Sequence, residues 1–143
     1  MIVKFSKINE YVKTPIKSTD GAAGFDLFNS GEKIIIHSGD TEFIHTGIKM
    51  EIPKGYAGFI YARSGLGCKH GIVPGNCVGV IDSDYRGEII VCLYNYSSLD
   101  YLIDHGDKIA QLVISAIPDV IIEEVDSLSE TTRNDGGFGS TGK

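Results

Sequence analysis

Nowhere along the chain do apolar residues recur at i, i+3, i+4 and i+7 over the length that an amphipathic helix needs. What recurs is alternation. In "TGIKMEIP", Ile48, Met50 and Ile52 fall on one face while Lys49 and Glu51 fall on the other, the pattern of a half-buried strand. Between such runs stand "STDG", "NSGEK", "HSGD", "IPKG", "VPGN", "DSDYRG", "DHGD" and "IPD", each of which sets Gly, Pro, Asn or Asp between apolar segments at short intervals. This predicts an all-β chain with strands at Ile2–Ile8, Gly24–Phe28, Lys33–His37, Thr41–Ile52, Tyr56–Ala62, Cys77–Ile81, Glu88–Asn95, Tyr101–Ile103, Lys108–Ile117 and Ile121–Val125. So many short strands within 143 residues predict a barrel or jelly roll, and that length leaves no room for a second sizeable core.

Two strands depart from half-polar alternation. "IIVCLYN" (Ile89–Asn95) and "IAQLVISAI" (Ile109–Ile117) are apolar on both faces, so something must cover the outside. A second subunit would do so, and so would burial between two sheets of one subunit. From Asp126 onward the pattern dissolves into "DSLSETTRNDGGFGSTGK", rich in Gly, Ser and Thr with no apolar face. The expected organisation is a β-barrel domain over 1–126 followed by a flexible Gly-rich tail over 127–143, mobile when nothing is bound.

A net charge of −6 argues against a protein that coats a nucleic-acid backbone, because that affinity comes from lysine and arginine displacing counterions. The N-terminal "MIVKFSKINEYVKTP" interrupts its apolar residues with charge every two or three positions, so it reads as neither a signal sequence nor a membrane span. Cys68, Cys77 and Cys92 are odd in number and lack CxxC spacing, which disfavours a disulfide framework or a structural zinc site. The expected setting is soluble and cytoplasmic, with no nucleic-acid or membrane partner.

Five stretches carry chemistry. The tail "GFGSTGK" (Gly137–Lys143) has the G-x-x-x-x-G-K spacing of a P-loop, but no buried strand leads into it and no residue after Lys143 opens a helix. Its free backbone N–H groups, the hydroxyls of Ser140 and Thr141, and Arg133 upstream nevertheless suit a polyphosphate. Phe138 stands between glycines with no core to join, as in a lid that orders over ligand. "ARSGLG" (Ala62–Gly67) follows a strand and lines up Arg63, Ser64 and Gly65, three adjacent donors able to hold one phosphate; a strand-ending turn with a solvated arginine has the same composition. In "GNCVGVIDSDYRGEI" (Gly75–Ile89), an apolar run delivers Asp82 to a turn, where a partly buried carboxylate can act as a general base or simply shape the turn. "AAGFDLF" (Ala22–Phe28) and "GDKIAQL" (Gly106–Leu112) place Asp26 and Gln111 inside apolar strands. Either side chain there satisfies a buried hydrogen bond or serves a nearby ligand.

These stretches, in this order and spacing, strongly resemble the five motifs of the trimeric deoxyuridine triphosphatases (dUTPases), with "RNDGGFGSTG" as the fifth, and they span the chain from Ala22 to Gly142. The resemblance implies a jelly-roll β-barrel subunit in a homotrimer, with three active sites each assembled from more than one chain. It implies hydrolysis of dUTP to dUMP and pyrophosphate with Mg2+ on the triphosphate, limiting uracil in DNA and supplying dUMP for thymidylate synthesis. Asp82 would hold the ribose 3′-OH and activate the water that attacks the α-phosphorus. Tyr85 would pack beneath the deoxyribose where a 2′-OH would otherwise sit. The hairpin around Asn76 would read the uracil edge, with Val80 and Ile81 also contacting substrate. Arg63, Ser64, Gly65 and Gln111 would hold phosphates or metal-bound waters, and no protein atom would bind the metal directly, Asp26 and Gln111 standing one layer out. Arg133, Phe138, Gly139, Ser140 and Thr141 would close over uracil and the γ-phosphate, making the terminal G-x-x-x-x-G-K a lid.

The chemistry agrees. Hydrolysis at a phosphorus crowded by negative charge needs positioned cations, donors and an oriented water more than a covalent nucleophile. Two positions depart from the family pattern. Ala62 replaces the usual proline before Arg63, and Asn134 replaces a usual glycine after Arg133, although asparagine tolerates left-handed backbone. The competing functions are a related dCTP deaminase, for which no suitable glutamate stands near Asp82, and a dUTP-binding regulatory protein.

Overall fold

The computed structural model describes residues 1–137; the expected lid residues Phe138, Gly139, Ser140 and Thr141 lie outside the described residues. Ten strands follow in order: β1 (Lys4–Lys7), β2 (Phe25–Phe28), β3 (Ile34–Ile36), β4 (Thr41–Glu51), β5 (Tyr56–Tyr61), β6 (Ile72–Pro74), β7 (Gly79–Ile81), β8 (Glu88–Asn95), β9 (Tyr101–Ile103) and β10 (Lys108–Ala116). One sheet runs β1-β4-β8-β6, a second β2-β10-β5-β7, and β3 pairs with β9 apart. Every pairing is antiparallel, and the long crossovers that bring β8 beside β4 and β10 between β2 and β5 make the chain a jelly roll.

The alternation read from the sequence explains how the sheets meet. Ile44, Ile48, Ile89, Val91 and Leu93 point inward from one sheet and Leu27, Ile60, Ala110 and Leu112 from the other, forming a single core. On β8 the opposite face stays open: Ile90 and Tyr94 are exposed, as is Phe43 beside them on β4. Burial between two sheets of one subunit therefore does not account for the doubly apolar pattern of β8.

Three differences from the expected elements have local causes. A five-residue helical turn of the wide π type, Leu66–His70, and the short strand β6 lie inside what reads as one Gly-punctuated loop, because five and three residues are too few to show a period. Strand β7 starts at Gly79 instead of Cys77, since Cys77 takes a left-handed φ of 63° in the preceding turn. The expected strand Ile121–Val125 does not form: Ile121 and Ile122 are 95% and 94% exposed, and no edge of the described chain pairs with them.

One buried polar group ties the two-stranded β3-β9 sheet to the β1-β4-β8-β6 sheet. Asn95, at the end of β8, is wholly buried. Its amide donates to the carbonyls of Ile36 at 2.9 Å and Leu99 at 2.8 Å, and its oxygen accepts from Ser97 N at 3.0 Å. Asn95→Leu keeps the volume but orphans both carbonyls, and is expected to lower stability by about 2–4 kcal/mol. An unchanged urea midpoint would contradict that role.

Candidate active site

The tight turn that carries the chain from β6 in one sheet to β7 in the other, and the turn between β7 and β8, enclose a cavity of about 240 Å3, lined among others by Asn76, Val80, Ile81, Asp82, Tyr85 and Glu88. The β6–β7 turn is tight because Cys77 is left-handed, its N–H donating to Pro74 O at 3.1 Å while Val78 N donates to Asn76 O at 2.7 Å. Asn76 is held at the mouth as a result. The apolar floor comes from Val80 and Ile81 of β7 and from β8, where Ile90 belongs to the open face described above and Val91 to the core.

The turn carrying Asp82 and Tyr85 is closed by its own atoms. Tyr85 N donates to Asp82 O at 3.2 Å, and Arg86 Nη1 donates to the carbonyls of Ser83 at 2.8 Å and Tyr85 at 2.9 Å. The Tyr85 ring folds back over Gly87, so closely that a β-carbon at Gly87 would overlap the ring, and its hydroxyl donates to Glu88 O at 2.9 Å. Asp82, expected from sequence to be partly buried, is instead exposed because it sits on a surface turn, and it lines the cavity. A carboxylate so placed can take a proton from a water at the cavity mouth.

A second cluster lies at the far end of β5. Arg63, Ser64 and Gly65 leave that strand and lead into the helical turn, which is seated by buried Leu66 and by Tyr96 OH donating to Gly67 O at 2.7 Å. Ser64 and Gly65 are exposed. Arg63 is held by two contacts: its Nε lies 3.3 Å from Asp26 Oδ1, and its Nη1 donates to Lys108 O at 3.3 Å. Asp26, only 2% exposed, also meets Lys108 Nζ at 2.7 Å and accepts from Ser18 Oγ at 2.6 Å. Burial alone would push its carboxyl up; the hydrogen bonds from Lys108 and Ser18 and the charges of Lys108 and Arg63 outweigh this and hold it below its ordinary value. Gln111 stands directly opposite Asp26 on one side and Tyr61 on the other, so these three occupy one row on the outer face of the sheet.

Lys108 and Ser18 are additions to the residues expected from sequence. Lys108 stands in the "GDKIAQL" stretch and could have been noticed as the cation nearest Gln111; nothing about Ser18 signals its part. Arg133 is exposed in a turn of its own, where its Nε donates to Gly136 O at 2.8 Å. Asn134 has the left-handed φ of 41° that its side chain tolerates, and its Oδ1 accepts from Thr131 N at 2.7 Å.

The two clusters are not brought together within one chain. Ile81 pairs with Gly58, so Asp82 lies level with Ala57, six residues along the chain from Arg63. That separation is about 20 Å at ~3.3 Å per residue. Asp26 stands level with Tyr61 through Gln111, and β10 and β5 lie between its strand and β7, so it too is about 20 Å from Asp82. Among the described residues no three His, Cys, Asp or Glu side chains gather as a metal-holding group, and no helix is long and apolar enough to cross a membrane.

A family model described as dUTPase matches residues 10–142. The chain is 48% identical over 143 residues to the deoxyuridine 5'-triphosphate nucleotidohydrolase of Nautilia profundicola, covering 100% of both chains. It is 46% identical over 129 residues to the protein of the same name from Anaplasma marginale, covering 90% of this chain and 88% of that one. Among solved structures, the dUTPase of Staphylococcus bacteriophage 80alpha with dUPNHPP aligns at a TM-score of 0.90 and 25% identity over 99% of each chain. A mutant dUTPase from phage phi11 of S. aureus, whose structure concerns the coordination of a structural Mg(II) ion, aligns at a TM-score of 0.80 and 25% identity over 89% of this chain and 98% of that one. With the family model spanning nearly its whole length, one relative matching it end to end and another over 90% of it, this chain belongs to the dUTPase family.

Proposed function

We propose that the protein hydrolyses dUTP to dUMP and pyrophosphate, in a homotrimer whose active sites join the Asp82 cavity of one copy to the Arg63 cluster of another. The observation that carries this reading is the separation of the two clusters. A triphosphate whose α-phosphorus is attacked beside Asp82 cannot also reach Arg63 of the same chain across about 20 Å of sheet. The open apolar residues support association: Phe43, Ile90 and Tyr94 on one sheet, and Ile121 and Ile122 beyond β10, are exposed surfaces that a second copy would cover.

In this reading Asn76 and the turn backbone read the uracil edge, and mismatched donors and acceptors reject cytosine. Tyr85, already fixed over Gly87, lies beneath the deoxyribose. Asp82 accepts a proton from the attacking water as the oxygen–phosphorus bond forms, and pyrophosphate leaves in line. Arg63, Ser64, Gly65 and Gln111 hold the phosphates and neutralise charge that grows in the transition state. Residues 127–143 act as a lid through Arg133 and the residues that follow it.

Mg2+ belongs to this reading as part of the substrate, carried on the triphosphate oxygens. The residues fit an outer role through charge: Asp26 Oδ1 is buried with no well-aligned hydrogen bond, its near neighbour being Arg63 Nε at 3.3 Å, and Gln111, its neighbour across the strand, is the group placed to hold a metal-bound water. The ion would screen phosphate charge. Cys68, Cys77 and Cys92 are all free thiols, which suits a reducing, cytoplasmic setting.

Pyrophosphate release measured across dUTP, dTTP, dCTP and UTP is expected with dUTP alone. Ammonia release from dCTP would instead make the protein a deaminase. Asp82→Asn is expected to keep dUTP binding while lowering kcat by about 10²–10⁴-fold, the usual contribution of a general base. Near-wild-type turnover in that variant would remove Asp82 from the mechanism.

A further inference from the structure

The β4–β8 ladder breaks register directly behind Tyr85, and one carboxylate fills the break. His45 pairs with Ile90 but Lys49 pairs with Glu88, so Thr46, Gly47 and Ile48 bulge against Ile89 alone. Gly47 turns through a φ of 69°. Its N–H donates to Glu88 Oε1 at 2.7 Å, and Glu88 Oε2 meets His45 Nδ1 at 2.9 Å. The glutamate side chain is 18% exposed with both oxygens engaged, so it is a built-in anchor and not a solvated surface charge. Its main chain faces the other way, the carbonyl taking the Tyr85 hydroxyl at 2.9 Å.

We propose that Glu88, braced by His45, is a positioning residue that sets the discrimination between deoxyribose and ribose. This rests on the reading of Tyr85 as the wall beneath the sugar. An apolar wall rejects an added hydroxyl only weakly, by roughly 10²-fold, and by less if the wall can yield. Here the wall is a ring on a surface turn, 44% exposed, with little packing on its outer side. Its stiffness comes from Gly87 beneath and from the Glu88 carbonyl at its tip, and that carbonyl is fixed because the side chain of the same residue is plugged into the bulge of β4. Removing the plug frees the start of β8, lets the ring tilt and opens room for a 2′-OH.

The test compares kcat/KM for dUTP and UTP in the full-length protein and its variants. Gly87→Ala displaces the ring directly and is expected to lower the dUTP-to-UTP ratio. Glu88→Ala is expected to lower it about tenfold, mainly through a lower KM for UTP, because the added hydroxyl is then accommodated at binding. Glu88→Gln, which still offers Gly47 an oxygen, recovers most of the ratio. If Gly87→Ala lowers the ratio while Glu88→Ala costs both nucleotides equally, Glu88 is merely structural and the proposal is overturned with the role of Tyr85 intact. If Gly87→Ala also leaves the ratio unchanged, Tyr85 is not the sugar wall and both readings fall. Should Glu88→Ala fail to fold, Glu88→Asp, which retracts the carboxylate by one methylene, carries the same expectation and the same refutation.

Discussion

The spacing of residues along β5 governs everything the molecule can do. A strand advances at a fixed rise, and its pairing with β7 on one side and β10 on the other fixes what stands at each end. At one end is a turn with Asp82 and Tyr85 beside a nucleoside-sized cavity; at the other is Arg63 with Asp26, Lys108 and Gln111. Neither end is a complete site for a nucleoside triphosphate. The first has a base and an apolar slot but no arginine of the Arg63 cluster, and the second has cations and donors but nothing to hold a base. In the proposed reading a second copy is part of the chemistry and not only of the stability, and the open apolar faces are what it would cover.

Both halves are organised without help from ligand. Asp26 is a buried carboxylate that would be costly alone, and it is tolerated because Lys108, Ser18 and Arg63 surround it. The return is an arginine held in place where the family's usual proline is missing. The turn at Asp82 is locked by Arg86 and Tyr85 binding its own carbonyls. In the proposed mechanism, ordering these groups in advance would spare that cost when substrate arrives, as positioned donors do in phosphoryl transfer.

Much of this was legible from the residues. Strict alternation on β4 and the turn residues around it placed the long strands correctly, because a period of two on a half-buried sheet leaves a plain trace. Short elements left none, so the helical turn after Gly65 and the three residues of β6 were absorbed into a loop. The apolar run Ile121–Val125 reads as a strand by composition but has no partner edge in the described chain, since strand formation depends on a neighbour that composition cannot supply. Asp82, Tyr85, Arg63 and Gln111 stood out through motif and spacing. Ser18, Lys108, His45 and Glu88 act through tertiary contacts; Ser18 and Lys108 are 90 positions apart in sequence, and no local pattern predicts such a meeting. The left-handed Asn134 was foreseeable because its side chain suits that conformation.

The central claim is that one reaction uses Asp82 from one copy and Arg63 from another, and subunit mixing tests it most directly. Arg63→Ala and Asp82→Asn proteins, each nearly inactive, would be unfolded together, refolded at equal ratio and assayed for pyrophosphate release from dUTP, with co-assembly followed by sedimentation. Random assortment then gives about a quarter of the sites an intact Arg63 and an intact Asp82 from different copies, and about that share of wild-type activity is predicted. Co-assembled mixtures no more active than the two variants apart would contradict the account.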